Sequence, residues 1–191
     1  MLRRSYVEKC LPPLNGIFIL AELPPEIADR LRAINERYDP KLSRYKPPHI
    51  TLAGSSGAGP LPPSVSVEEI REKLEPITRE TEPLTLSFQP PQKFMQRDII
   101  VLPIDSHGPL RVLHDEIATS GLPFTRARYT FSPHATLSLY QSLDTKSIRE
   151  LLKIRLPEPF VINAIQVYHT RDPQPSQKLL ELSLTGGSKK D

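Results

Sequence analysis

Pro48-His49-Ile50-Thr51-Leu52 and Pro133-His134-Ala135-Thr136-Leu137 carry one frame, Pro-His-x-Thr-Leu, twice in a chain of 191 residues. The chain has five histidines, and two of them occupy this frame. Along a β-strand successive side chains alternate between faces, so His49 and Thr51 share one face while Ile50 and Leu52 share the other. The second copy behaves alike, with His134 beside Thr136 and Ala135 beside Leu137. Each copy thus presents an imidazole next to a hydroxyl on an apolar backing. A single His-x-Thr in a strand is ordinarily a hydrogen-bonded histidine and a strand-favouring threonine, and among 22 prolines the flanking Pro says little. Repetition of the whole five-residue frame is what points to a shared site.

The setting of the frame repeats as well. Residues 16–22 (GIFILAE) form an apolar, β-rich run, and residues 24–38 show helical spacing through Ile27, Leu31 and Ile34 with proline near the start. Arg44-Tyr45 then leads into the first frame. In the second half, residues 98–104 (DIIVLPI) give the strand, Leu110, Leu113 and Ile117 the helix, which stops near Gly121, and Arg128-Tyr129 leads into the second frame. Downstream, residues 67–77 and 144–154 read as amphipathic helices capped by Ser66 and Asp144. Residues 84–88 and 160–167 follow as strands, and a last strand covers 178–184.

Strand, helix, histidine strand, helix, strand therefore occurs twice, over residues 16–90 and 97–169. This predicts an α+β fold: one bilobal domain over residues 1–191, duplicated about an approximate two-fold axis. Two small sheets would line a central cleft with the helices outside, and the histidine strands would face that cleft. Residues 54–65 (GSSGAGPLPPSV) match neither phosphate-loop pattern and read as a mobile surface loop bordering the site.

Composition narrows the function classes. A hydrophobic fraction of 38% with 25% charged residues is ordinary for a globular chain. A net charge of +3 and a pI near 9.0 suit an anionic substrate, while the lack of a long Lys/Arg run argues against a broad DNA-binding surface. Cys10 is the single cysteine, so an intramolecular disulfide and a cysteine-ligated zinc site are both excluded. No His-Glu-x-x-His spacing and no G-x-S-x-G elbow occurs. The N-terminal segment lacks the apolar run of a secretory signal and the longest apolar stretch is far too short to span a bilayer. A cytoplasmic monomer without membrane contact or obligatory protein partner is expected.

Two imidazoles and two hydroxyls outline a metal-free phosphodiester site. One histidine can take a proton from the attacking hydroxyl or water and the other can protonate the leaving oxygen, because the imidazole titrates near neutral pH. Thr51 and Thr136 can donate to the non-bridging phosphoryl oxygens. If the second strand runs on unbulged, Ser138 and Tyr140 share the face of His134, and Tyr140 could stack on a nucleobase. Arg44 and Arg128 could grip a phosphate bidentately, with Tyr129 beside them; solvated arginines and packed tyrosines are the plain alternative. Lys46 and Arg126 are weaker candidates. His107, His114 and His169 carry no such signal.

Paired His-x-Thr frames followed by an apolar residue, one per half of a duplicated chain, resemble the two-histidine (2H) phosphoesterase superfamily. The similarity is strongest to its 2′-5′ RNA ligase-like and cyclic nucleotide phosphodiesterase branches, and it covers roughly residues 16–184. It implies His49, Thr51, His134 and Thr136 as the catalytic set, with neither metal nor other cofactor. It implies an RNA terminus or a small cyclic nucleotide as substrate, and opening of a 2′,3′-cyclic phosphate to a 2′-phosphate as the reaction. In that direction it implies His134 as the base and His49 as the acid, with the roles exchanged for ligation. Activity on 2′-5′ linkages, or nucleotide binding without turnover, are the other readings of the same fold.

Overall fold

The computed structural model describes residues 14–94, 99–139 and 142–186. In chain order its elements are β1 (Asn15–Glu22), α1 (Pro25–Tyr38), α2 (Pro40–Tyr45), β2 (His49–Ala53), α3 (Val67–Glu80), β3 (Leu84–Leu86), β4 (Gln92–Lys93), β5 (Ile100–Pro103), α4 (Pro109–Ala118), β6 (His134–Ser138), α5 (Thr145–Leu151), β7 (Phe160–Ile162), β8 (Ala164–Arg171) and β9 (Gln177–Ser183). Both expected caps form: Ser66 Oγ accepts from Glu69 N–H at 3.1 Å and Asp144 Oδ1 from Ser147 N–H at 2.7 Å. The two-residue β4 and the short α2 have no periodicity long enough to announce them in the sequence.

The fold is α+β with two sheets, as the sequence predicts, but strands are shared between the repeats. One sheet has seven strands in the order β4-β5-β6-β2-β1-β8-β9, and the other pairs β3 with β7. The two histidine strands are therefore neighbours, antiparallel, with Ile50 opposite Ala135. The wings also mix the halves, because β8 of the second repeat pairs with β1 of the first, while β4, from the segment between the repeats, pairs with β5 of the second. Joining the wings at β2 and β6 gives each histidine strand a neighbour on both sides and leaves no open edge at the centre.

Helices cross the same boundary. α1 packs on β6 and α4 on β2, each against the other repeat's histidine strand. Ile27 and Leu31 of α1, Leu110, Leu113 and Ile117 of α4, and Ile70 and Leu74 of α3 join Ile50, Leu52, Ala135 and Leu137 in one core on the face away from the histidines. Burying one such Leu or Ile side chain stabilises by about 1.5–3 kcal/mol relative to leaving it exposed. Among the described residues no helix is long and apolar enough to cross a membrane.

The loop over residues 54–65 departs from its expectation. It is pinned rather than loose: Leu61 bridges Ile17, Ala58 bridges Arg126 and Ser56 bridges Tyr129, and Ser56, Ala58 and Leu61 are buried. Gly54, at φ +142°, and Gly57, at φ +72°, hold the backbone where a Cβ would run into the Phe18 and His114 rings. The small residues mark close packing, not slack chain.

Candidate active site

The backbone register sets the arrangement of the paired frames. With Ile50 opposite Ala135 in an antiparallel pair, His49 falls opposite Thr136 and Thr51 opposite His134. Directly opposed Cβ atoms are about 5 Å apart and diagonal ones about 7–8 Å, so the imidazoles occupy one diagonal of a small square and the hydroxyls the other. The local two-fold axis passes between Ile50 and Ala135. All four residues are half-buried and line one cavity of about 250 Å³.

The imidazoles are held identically. His49 Nδ1 lies 2.7 Å from the Pro47 carbonyl and His134 Nδ1 lies 2.7 Å from the Ser132 carbonyl. A carbonyl oxygen only accepts, so Nδ1 carries the proton in both rings. In the neutral form Nε2 keeps its lone pair and can serve as a base; once protonated, Nε2–H can serve as an acid. Burial, then the nearby Lys46 ammonium, pushes His49 down to about 3. Burial holds His134 below its ordinary value as well.

Both histidine strands bulge just after the threonine. Thr51 faces Leu20 while Ala53 faces Ile19, and Thr136 faces Val101 while Ser138 faces Ile100. One extra residue, Leu52 or Leu137, is thus accommodated in each strand, and the alternation of faces shifts there. Each bulge carbonyl is taken by a buried side chain from the helix of the other repeat. Asn35 Nδ2 donates to Leu137 O at 2.9 Å and to Thr136 O at 3.2 Å. His114 Nδ1 donates to Leu52 O at 2.7 Å, and its ring stacks on Phe131 at 3.8 Å between centroids. Burial holds His114 below its ordinary pKa, which keeps it neutral in this role. His114 is therefore a structural element of the first half-site.

The bulge also corrects the expectation for Ser138. It is fully buried opposite Ile100, on the core side, and does not line the cavity. Tyr140 lies outside the described residues. Arg44 and Arg128 are exposed, Tyr129 is 70% exposed, and none of the three lines the cavity. Arg128 and Tyr129 are drawn off because the backbone of Tyr129 binds the 54–65 loop, its carbonyl accepting from Gly57 N–H at 2.8 Å.

The cavity instead takes Tyr45, Lys46, Asn35, Phe18 and Ser55 from the first repeat, with Phe94, Ile99 and Leu139 on the other side. Lys46 Nζ stands 4.2 Å from the centroid of the Phe18 ring, and burial pushes its ammonium down to about 8. Phe94 meets His134 edge to face at 5.7 Å. Lys46 sits three residues before His49, and that proximity is the signal by which the sequence could have singled it out over Arg44.

The chain and its fold are similar to known proteins. None of the curated proteins compared matches it. Among solved structures, Escherichia coli LigT complexed with 3′-AMP aligns over 91% of this chain and 99% of its own, at 20% identity and a TM-score of 0.59. LigT complexed with phosphate aligns over 92% and 99%, at 19% identity and a TM-score of 0.56. TT0787 of Thermus thermophilus aligns over 91% and 99%, at 15% identity and a TM-score of 0.60. At these identities the likeness shows a common fold. The family model for the 2′-5′ RNA ligase superfamily matches residues 23–174, a span that holds both Pro-His-x-Thr-Leu frames and the pairing between them, and this chain belongs to that superfamily.

Proposed function

We propose that the protein is a metal-independent cytoplasmic phosphodiesterase of the two-histidine type, acting on RNA ends or small nucleotides and opening 2′,3′-cyclic phosphate to 2′-phosphate. The observation that carries this reading is the square of His49, Thr51, His134 and Thr136 in one cavity, with each ring tethered through Nδ1 and, among the described residues, no backbone hydrogen bond to either Nε2. One neutral imidazole takes the proton of an attacking water as its oxygen bonds to phosphorus. The other, protonated, gives its proton to the 3′ oxygen as the phosphorus–O3′ bond breaks, leaving a 2′-phosphate and a 3′-hydroxyl. Two groups related by a two-fold axis approach from opposite sides, as in-line displacement requires. The threonine hydroxyls donate to the non-bridging oxygens, where charge accumulates. Lys46 adds a positive charge to the same cavity. The donor set supports acid–base rather than metal chemistry: no carboxylate or thiolate lines the cavity among the described residues. That LigT structures hold 3′-AMP and phosphate agrees with a nucleotide anion as ligand.

The test is a short RNA ending in a 2′,3′-cyclic phosphate, incubated in excess chelator. Formation of 2′-phosphate by the wild type, lost in His49→Ala and in His134→Ala, is expected. Folded wild type that leaves this RNA intact sinks the cyclic phosphodiesterase reading. Cleavage of a 2′-5′ linked oligonucleotide by the same preparation would then place the activity on that linkage, the reaction class for which the superfamily is named.

A further inference from the structure

Two lysines stand over aromatic rings on the sheet face that carries the histidines, and the protein neutralises only one of them. Phe18 of β1 and Tyr168 of β8 are cross-strand partners and share a buried cluster with Leu20. Lys178 Nζ lies 5.9 Å from the centroid of the Tyr168 ring and is matched by two carboxylates, Glu22 Oε1 at 2.7 Å and Glu181 Oε2 at 3.1 Å. Lys46 Nζ lies 4.2 Å from the centroid of the Phe18 ring, and among the described residues no carboxylate lines the cavity it enters. A ring face offsets only part of what a half-buried ammonium loses on leaving water. The cavity therefore holds one positive charge whose match is left to a ligand.

This lysine is fixed at its root. It follows α2, whose last residue Tyr45 accepts at its carbonyl from Ser176 N–H at 3.1 Å, and two residues on the Pro48 carbonyl accepts from Leu23 N–H at 3.1 Å. Pro47 and Pro48 restrict φ between Lys46 and His49. At the other end of α2, Asp39 Oδ1 accepts from Leu42 N–H at 3.2 Å and Oδ2 from Leu139 N–H at 2.7 Å. Between α4 and β6 the second repeat has no helix, and the residue three before His134 is Phe131, stacked on His114. The charge is thus built into one side of the cavity only.

Register places that charge beside the histidine square rather than in it. The square is centred between β2 and β6, at Ile50 and Ala135. Phe18 belongs to β1, on the far side of β2, one residue beyond the pairing of Ile19 with Ala53, where a Cβ on Gly54 would run into its ring. β1 lies one and a half strand spacings, about 7 Å, from the centre line of the square, and Phe18 stands past the Thr51 end. A phosphoryl group in the square already has the hydroxyls of Thr51 and Thr136 as donors. An anion on Lys46 is separated from it by at least the width of a ribose.

We propose that Lys46, over Phe18, forms a second anion subsite, which takes a phosphate on the 5′ oxygen of the nucleoside whose 2′,3′-cyclic phosphate is opened. The substrate class is a nucleotide with phosphate on both sides of one ribose: a 5′-phosphorylated cyclic nucleotide or the last residue of an RNA chain. The inference rests on the phosphodiesterase reading above for the position of the first phosphate. Lys46 is a substrate-binding residue that orients the sugar and stays clear of the reacting bonds.

The experiment measures kcat/KM on adenosine 2′,3′-cyclic phosphate, on its 5′-phosphorylated form and on the dinucleotide ApA ending in a 2′,3′-cyclic phosphate. Wild type should prefer the two substrates with a 5′ phosphate by about tenfold or more, through KM, as one charge-assisted contact supplies. Lys46→Gln should lose that preference and Lys46→Arg should keep it. The preference is a ratio within one preparation, so a change in folded fraction leaves it untouched. A gain on the mononucleotide alone assigns the subsite to a free 5′ monoester, and a gain on both extends it to RNA ends. A gain on the dinucleotide alone, equal kcat/KM on all three, or a Lys46→Gln loss of the same factor on each overturns the proposal. Calorimetric titration with adenosine 2′-phosphate and adenosine 2′,5′-bisphosphate gives a readout free of turnover: the bisphosphate should bind wild type about tenfold tighter, and Lys46→Gln should show no such difference. Wild type that opens none of the three substrates yet keeps this difference overturns the phosphodiesterase reading and leaves the subsite standing. Turnover of all three without the difference does the reverse.

Discussion

The His49 half-site and the His134 half-site share a frame, a bulge and an imidazole tether, yet they are finished with different materials. At the first, the strand is held by a histidine, His114, and the cavity wall carries Lys46 on Phe18. At the second, the strand is held by an amide, Asn35, and the wall is apolar, with Phe94 and Leu139 each 39% exposed. What is common to both halves is the frame, the bulge and the tether of each imidazole to a carbonyl. What differs is the lining: a lysine ammonium enters the cavity beside the one strand, and apolar side chains stand beside the other.

Breaking either half at its imidazole should have the largest effect. His49→Ala and His134→Ala should each lower turnover of a cyclic phosphate by about 10²–10⁴-fold. The double variant should be little worse than either alone, because the two groups act as a unit. Single-turnover assays on both variants and their combination check this, and multiplied losses would show two independent sites.

Removing the props should be felt next, as stability. His114→Ala leaves the Leu52 carbonyl unpaired and a gap against Phe131, a loss of about 3 kcal/mol in urea unfolding. Asn35→Ala leaves the Leu137 carbonyl unpaired with a smaller gap, about 1–3 kcal/mol. An Asn35 variant costlier than the His114 variant would show that the second bulge is the more strained of the two.

Acid should expose the buried imidazoles. The unfolded chain protonates His49 near pH 6.5 and the folded one only at about 3, so between those values the unfolded state binds more protons. Stability is therefore lost as pH falls through that window, by up to about 1.4 kcal/mol per pH unit for each such histidine. The downward shifts of His134 and His114 act in the same direction. Urea midpoints between pH 7 and 4 should fall less steeply in His49→Asn than in wild type; equal slopes would remove His49 from the account.

The smallest change sharpens the comparison at the bulges. Ser138 Oγ is fully buried and has no hydrogen-bond partner among the described residues, while its counterpart in the first half is Ala53. Ser138→Ala should leave activity unchanged and raise stability by up to about 1 kcal/mol. A loss of activity would return Ser138 to the site.

Alternation and helical periodicity sufficed to place β1 and the longer helices, because those signals come from residues close in sequence; the run read as one strand over 160–167 is instead two, β7 and the longer β8, interrupted at Asn163. The pairing of β2 with β6 was not legible, since it joins residues 85 apart and no local pattern records a partner. The same holds for the pairing of β8 with β1 across the repeats. The four candidate site residues were readable because the frame repeats; Arg44, Arg128 and Tyr129 were misplaced because being next to a strand says nothing about which side the chain leaves it. Ser138 was misplaced because a bulge changes face without changing composition.

The sequence by itself determined which side chains share a strand face, and with that the chemical set of two imidazoles and two hydroxyls. Strand alternation is a property of the backbone and holds wherever the strand lies. Only the tertiary structure decided that the two sets meet in one square, that buried side chains from the opposite repeat secure the bulges, and that Lys46 rather than an arginine enters the cavity. Those outcomes depend on long-range pairing and on where burial leaves a charge, and both are settled when the chain closes on itself.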